Sequence, residues 1–211
     1  MSKRIITISR QCGSGGHTIG QEVAKRLGIS FYDKKLIDIV SERSGLSKET
    51  IQHYREYANS SLLYYLATNL SSGYNAVDKG SMILPDQVNA FQTELIREVT
   101  DKEPCVIICR GADYILRERD DCLHVFIYGC MEDRKKRVIK EYGIPAEKAE
   151  NHILERDKKR IRHYKHFTEQ TWGMAQNYDI CLNSSLLAIE KCIEVICNLA
   201  TDANLGKVQE K

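Results

Sequence analysis

A glycine-rich turn near the start of the chain limits the possible folds more than any other feature. The apolar, β-branched run RIITIS at 4–9 precedes the turn and predicts a short strand. The stretch TIGQEVAKRL follows it and predicts a helix, because apolar residues recur at helical spacing at Ile19, Val23 and Leu27. A strand, a tight turn and a helix in this order direct the first amides of the helix, and the positive end of its dipole, toward an anion.

The turn itself, QCGSGGHT at 11–18, matches most of the phosphate-binding pattern GxxxxGK[ST]. Its glycines allow positive φ and a close approach of the backbone to a phosphate, and the final threonine falls where the loop hydroxyl binds Mg²⁺. We therefore predict that six consecutive residues bind nucleotide phosphates and, at the last of them, the metal: Gly13, Ser14, Gly15, Gly16, His17 and Thr18. The alternative is a turn that serves only the tight packing of strand against helix.

Two positions depart from that pattern. Gln11 stands in place of the first glycine, and His17 stands in place of the lysine. The lysine supplies a full positive charge to the β and γ phosphates, whereas a free histidine side chain is mostly uncharged at pH 7. His17 therefore separates two hypotheses: an active phosphotransferase, and a nucleotide-binding sensor or regulator that has lost efficient transfer.

Strands and helices alternate along the rest of the chain. Apolar runs predict further strands at 29–32, 105–109, 123–128 and 180–182. Helical spacing and capping residues predict helices at 35–40, 48–57, 85–102, 131–142, 145–172 and 185–199, and a Ser/Gly/Asn-rich stretch at 59–85 predicts a short helix with a long flexible connection. This alternation predicts an α/β fold with a parallel sheet, helices on both faces, and a ligand site at the carboxyl ends of the strands.

Two charged residues follow predicted strands and are candidates for that site. Asp33 comes after the second strand, where a carboxylate can orient an acceptor hydroxyl or a metal-bound water. Its alternative role is to cap a helix that begins at Lys34. Arg110 directly follows the strand CVIIC and is placed to bind a phosphate with two hydrogen bonds; its alternative role is an ion pair with Asp113.

A long basic helix supplies the remaining candidates. In ILERDKKRIRHYKHF, three side chains lie on one helical face: Arg156, Arg160 and His163. A run of charge is usually a solvated helix face, and a basic helix can also bind nucleic acid. Beside a phosphate-binding turn, we interpret this helix as a lid that closes arginines over the transferring phosphate.

Composition narrows the class of protein. The chain has 211 residues with 42% hydrophobic content, enough for one domain with a full core. Its formal net charge of +2 gives no reason to expect nucleic acid or a membrane as a partner. The 8 cysteines form no CxxC pair, and no signal peptide or long apolar run is present, so we expect a soluble, cytoplasmic protein without a cysteine metal site. The sequence carries no signature of an oligomeric state.

Five segments in this order resemble the cytidylate kinase-like family of P-loop proteins: IITISRQCGSGGHTIG, FYDKKLI, IICRGADYIL, ERDKKRIRHYK and NYDICLNSS. They extend over almost the whole chain. The resemblance implies a three-layer P-loop NTPase fold over 1–211, with a monophosphate-binding insertion at about 34–82 and a helical lid at about 147–172. Authentic cytidylate kinases carry lysine at the position of His17 and Gly-Arg-Asp at the position of Cys109, Arg110 and Gly111.

The same resemblance implies functional roles. Residues from Gly13 to Thr18 would hold ATP phosphates and Mg²⁺, Asp33 and Arg110 would face an acceptor monophosphate, and Arg156 and Arg160 would stabilise the transferring phosphoryl group. Our leading hypothesis is an ATP- and Mg²⁺-dependent kinase of a nucleoside monophosphate, and nucleotides are its expected small-molecule partners. The second is the sensor or regulator. A third is a non-enzymatic interaction protein that docks through 59–85.

Overall fold

The computed structural model describes residues 4–33, 85–109 and 111–202. Four predictions lie outside these residues: the helices at 35–40 and 48–57, the insertion at about 34–82, the connection at 59–85 and the position of Arg110. Every strand and helix predicted within the described residues is present.

The described part of the chain contains five strands, β1 (Ile5–Arg10), β2 (Ser30–Tyr32), β3 (Cys105–Ile107), β4 (Cys122–Tyr128) and β5 (Ile180–Asn183). Its α-helices are α1 (Gly16–Leu27), α2 (Pro85–Lys102), α3 (Ala112–Ile115), α4 (Met131–Tyr142), α5 (Ala146–Thr168) and α6 (Ser184–Thr201). A 3₁₀ turn at Ala175–Asn177 precedes β5. The four-residue helix α3 had no counterpart in the prediction.

The strands form one sheet in the order β2-β3-β1-β4-β5, and every pair in it is parallel. In the middle of the sheet, Ile5 of β1 lies opposite Cys105 of β3 and Cys122 of β4. Because the strands run the same way, their carboxyl ends meet at one edge of the sheet. This confirms the α/β fold class, with the turns after β1, β3 and β4 at that edge.

Helices cover both faces of the sheet, so the strands are buried on both sides as their apolar runs require. On one face, Ile6, Ile8 and Val125 pack with residues of α1 and α6. On the other face, Ile5 and Ile107 pack with residues of α2 and α3. The result is the predicted arrangement of three layers, helix on sheet on helix.

The long basic helix is shorter than predicted. Helix α5 ends at Thr168, whereas the charge pattern predicted a helix to residue 172. Glu169 adopts a left-handed backbone conformation with φ of 60°, which ends the helix, and its amide donates to the Lys165 carbonyl at 3.0 Å. No helix in the described part of the chain is long and apolar enough to cross a membrane.

Candidate phosphate-binding site

The glycine-rich loop connects β1 to α1 at the carboxyl edge of the sheet. Gly13 and Gly15 both adopt positive φ, 75° and 81°, which L side chains rarely tolerate. A Cβ atom at Gly13 would lie 2.6 Å from the backbone oxygen of Arg134, so this glycine also permits a close approach of α4. Buried Ser14 closes the turn by donating its hydroxyl to the Gln11 carbonyl at 2.9 Å.

Helix α1 begins with an anion-binding geometry. The amides of Gly16, His17 and Thr18 belong to its first turn, where an α-helix provides no carbonyl to accept them. The side chains of His17 and Thr18 are exposed, whereas the backbone from Gly13 to Gly16 is buried. Amides of this kind and the positive end of the helix dipole favour a phosphate at this position.

Three arginines bind the carbonyl groups of the loop and of the strand end that leads into it. Arg134 donates from Nε to the Cys12 carbonyl at 2.8 Å, and Arg137, also on α4, donates from Nη1 to the Gly13 carbonyl at 2.5 Å. Arg160 of α5 donates from Nη1 to the carbonyl at the end of β1, that of Arg10, at 2.8 Å. The loop therefore lies among several positive charges although the lysine of the pattern is absent.

Asp157 of α5 lies between two of these arginines. Its Oδ1 accepts the Cys12 amide at 2.8 Å and an Nη1–H of Arg160 at 3.2 Å. Its Oδ2 accepts a hydrogen bond from Arg134. A carboxylate shared in this way joins α5 to the loop and to α4.

Asp33 lies on the other side of the loop, directly after β2. Its Oδ2 is 3.3 Å from Nε2 of His17, and its Oδ1 is 4.0 Å from Nη2 of Arg10. The His17 ring meets Phe31 edge to face, with 5.5 Å between the ring centroids. His17, which stands in place of the lysine, therefore contacts the aromatic ring of Phe31 in β2 and the carboxylate of Asp33 directly after β2.

The structure brings most of the predicted site residues together. The six loop residues, Asp33 and Arg160 all lie around the start of α1. Burial raises the pKa of the Cys12 thiol, and the positive charges of Arg160 and Arg156 oppose that rise, which places Arg156 near the loop as well. Arg110 lies outside the described residues.

His163 does not join this group, although it shares a helical face with the two arginines. Only 5% of its surface is exposed, and its ring packs against Phe167 with 4.7 Å between centroids. It lines a groove with Asn89 of α2 and Tyr114 of α3. Arg160 therefore contacts the strand end that leads into the loop, whereas His163, three residues later in α5, faces α2 and α3.

Sequence reasoning missed four residues that contact the loop: Arg10, Arg134, Arg137 and Asp157. The sequence analysis did not identify the two arginines of α4 as site residues, because nothing in a single sequence shows what a helix packs against. The run ERDKKR contains two acids, Glu155 and Asp157, and an acid among bases was the available signal for Asp157, although the sequence does not show which of the two has a structural partner.

Comparison with known proteins agrees with this geometry. The family model described as the cytidylate kinase-like family matches residues 5–186, which is most of the chain. The chain belongs to the cytidylate kinase-like family. No curated protein sequence is significantly similar to it.

Two solved structures have a similar fold. An uncharacterized protein from Eubacterium ventriosum has a TM-score of 0.67 and 24% sequence identity, over 91% of this chain and 94% of that one. Shikimate kinase from Bacteroides thetaiotaomicron has a TM-score of 0.50 and 16% identity, over 92% of this chain and 97% of that one. The cytidylate kinase-like protein described here thus has a P-loop kinase fold.

Proposed function

We propose that this protein transfers a phosphoryl group from ATP to a nucleoside monophosphate, with cytidylate as the first candidate acceptor. The observation that carries the proposal is the loop from Gly13 to Thr18, whose first-turn amides point to the carboxyl edge of the sheet amid arginines of α4 and α5. Family membership supports a kinase, and the acceptor is the part that experiment must identify.

In this proposal the loop amides hold the β and γ phosphates of ATP. The exposed hydroxyl of Thr18 supplies one ligand to Mg²⁺, which usually takes its other ligands from phosphates and water. Among the described residues no cluster of three His, Cys, Asp or Glu side chains offers a separate metal site. Mg²⁺ would neutralise charge on the β and γ oxygens.

The chain's own charged residues position the reaction. Arg160 binds the carbonyl at the end of β1 from α5, and Arg156 lies one helical turn before it; both would stabilise charge on the phosphoryl group as it moves. Asp33 and Arg110 would bind and orient the acceptor. Transfer then proceeds by alignment of the acceptor with the phosphate and by charge neutralisation, with no covalent intermediate on the protein.

A second candidate function is a nucleotide-binding sensor or regulator. The pairing of His17 with Asp33 favours it, because a side chain held 3.3 Å from a carboxylate delivers less positive charge to a phosphate than a lysine does.

We also propose a cytoplasmic location, where ATP is available, and no nucleic acid partner.

A panel of acceptors tests the proposal. Nucleoside monophosphates and small hydroxyl compounds are each incubated with the protein, ATP and Mg²⁺, and ADP release is followed. We expect at least one monophosphate to accelerate ADP release, and Arg156→Ala to abolish the acceleration. Lys158→Ala, which removes an exposed base from the same helix, is the matched control and should keep it.

The variant His17→Lys separates the two candidate functions. If the natural site is attenuated, restoring the lysine should raise turnover by about tenfold, because a full charge then reaches the β and γ phosphates. If ATP binds but no acceptor accelerates ADP release from either protein, the kinase proposal gives way to the sensor.

A further inference from the structure

Asp157 is the residue through which α5 contacts an amide of the phosphate-binding loop. It is 9% exposed, and its two carboxylate oxygens accept hydrogen bonds from the Cys12 amide, Arg134 and Arg160. These three partners come from the loop, α4 and α5. An aspartate is rarely buried unless its charge is paired, and three hydrogen bonds to three different elements indicate that Asp157 holds these elements together.

The contacts hold Cys12 from both sides. Its N–H donates to Asp157, and its carbonyl accepts from Arg134, which is itself bound to Asp157. The N–H belongs to the peptide group before the Cys12 Cα atom and the carbonyl to the peptide group after it, so the two hydrogen bonds fix the orientation of both groups. Gly13 follows with a positive φ, and the direction of the next amides in the loop depends on these two orientations.

The charge balance also depends on Asp157. Arg134 and Arg160 have side chains only 7% and 15% exposed, and Asp157 is the carboxylate within reach of both. Without it, two nearly buried guanidinium groups would face each other without compensation, and each would move away from the carbonyl it now binds.

We propose that Asp157 is a positioning residue that orders the phosphate-binding loop from helix α5. It binds the Cys12 amide, holds Arg134 against the Cys12 carbonyl and holds Arg160 against the end of β1, so that α5 sets the affinity of the loop for the phosphates of ATP. The effect on ATP rests on the proposed function, whereas the ordering of the loop does not.

A binding experiment tests the effect on ATP. The single tryptophan of the chain, Trp172, follows α5, donates to Ser9 of β1 at 3.0 Å, and provides a fluorescence signal near the site. We expect Asp157→Asn to weaken Mg-ATP binding by about tenfold, the lower end of the usual effect of removing a supporting contact. The exposed neighbour gives the matched control: Glu155→Gln removes the same charge from α5 and should leave the affinity unchanged.

Hydrogen exchange without nucleotide tests the ordering itself. In the wild-type protein the Cys12 amide should exchange slowly, because it donates to Asp157, and the His17 amide should exchange fast, because its helix offers no acceptor. In Asp157→Ala, which removes the acceptor of the Cys12 amide, this amide should exchange at least about tenfold faster, while amides of β1 keep their protection. Fast exchange of Cys12 in the wild type overturns the proposal without the need for any variant.

A double variant distinguishes positioning from a general loss of stability. Arg134→Gln together with Asp157→Asn replaces the ion pair by two neutral amides that can hydrogen-bond, so the double variant should lose less ATP affinity than the sum of the single losses. Additive losses, or ATP affinity in Asp157→Asn equal to or above that of the wild type, overturn the proposal. If the wild type binds no ATP, the proposed function fails, and the exchange rates still decide whether Asp157 orders the loop.

Discussion

Two buried carboxylates hold α5 at different points along the helix, and they have different partners. At the middle of the helix, beside the loop, Asp157 lies between Arg134 and Arg160. Near the C-terminal end of the helix, Tyr164 donates its hydroxyl to Asp113 of α3 at 2.6 Å, and that carboxylate is 3% exposed. The middle of the helix is therefore fixed by charges that also surround the candidate phosphate site, and the far end by a nearly dry hydrogen bond.

The difference has an electrostatic consequence. Burial raises the pKa of Asp113 from 3.8 to about 6, and the hydrogen bond from Tyr164 only partly opposes this rise. The same burial raises the pKa of the Tyr164 hydroxyl. Substitutions at the middle of α5, beside the loop, should therefore change the chemistry of the site, whereas substitutions at the far end of the helix should change stability and its dependence on pH.

The largest expected effect lies at the middle of α5, beside the loop. Arg160→Ala removes a guanidinium that donates to the Arg10 carbonyl and to Asp157, so we expect kcat to fall by at least about 100-fold, roughly 3 kcal/mol in the barrier. The measurement is steady-state ADP release with the best acceptor from the panel. In the control, Arg162→Ala, which removes an exposed arginine of the same helix, kcat should fall less than about threefold. Equal losses in the two variants would mean that the contacts of Arg160 beside the loop have no special role.

A smaller effect, on stability alone, is expected at the far end. Between pH 3.8 and about 6 the folded protein holds a proton on Asp113 that the unfolded chain has released, so stability falls as pH rises through this window. The stabilisation is complete below pH 3.8 and lost above about 6. A shift of about two pKa units corresponds to about 3 kcal/mol. Asp113→Asn removes this dependence, because its amide does not titrate, yet its oxygen still accepts from Tyr164.

The measurement for Asp113 is urea unfolding of wild type and variant at pH 4 and pH 7.5. We expect the wild type to lose up to about 3 kcal/mol relative to Asp113→Asn between these two values. The same substitution at the exposed Asp120 is the control for the general effect of removing a surface carboxylate. A constant difference for Asp113→Asn would mean that its carboxylate is not held in a dry site.

Those residues of the candidate phosphate site that are adjacent in the sequence could be predicted from it. The residues that helix packing brings to the site could not. The residues from Gly13 to Thr18 are consecutive, and their strand and helix are visible in the pattern of apolar residues. Arg134 and Asp157 are 23 positions apart on two helices, and both lie in charged stretches typical of solvated surfaces. Their pairing depends on how α4 and α5 pack, which a single sequence does not encode in any local pattern.

The ends of the helices show the same contrast: an end that a residue type marks in the sequence could be predicted, and an end without such a residue could not. The last residue of α4 is Tyr142, as predicted, and Gly143 follows it with φ of 64°. A glycine directly after a helix is a recognised stop signal. Helix α5 ends before a glutamate, which carries no such signal, and the prediction ran on to residue 172. Thr168 contributes to the true end by donating its hydroxyl to the Tyr164 carbonyl at 2.6 Å.

The smallest expected effect is a change in stability at the C-terminal end of α5, which no glycine marks in the sequence. Glu169→Gly should stabilise the protein by about 1 kcal/mol, because glycine adopts the left-handed conformation that an L side chain adopts only at a cost. Gly143→Ala at the end of α4 is the reciprocal control: a Cβ there meets nothing within 4 Å, so it should lose about 1 kcal/mol through φ alone. Both are measured by urea unfolding at pH 7.5. A loss of stability in Glu169→Gly would mean that the glutamate side chain, and not the backbone conformation, holds the far end of the helix.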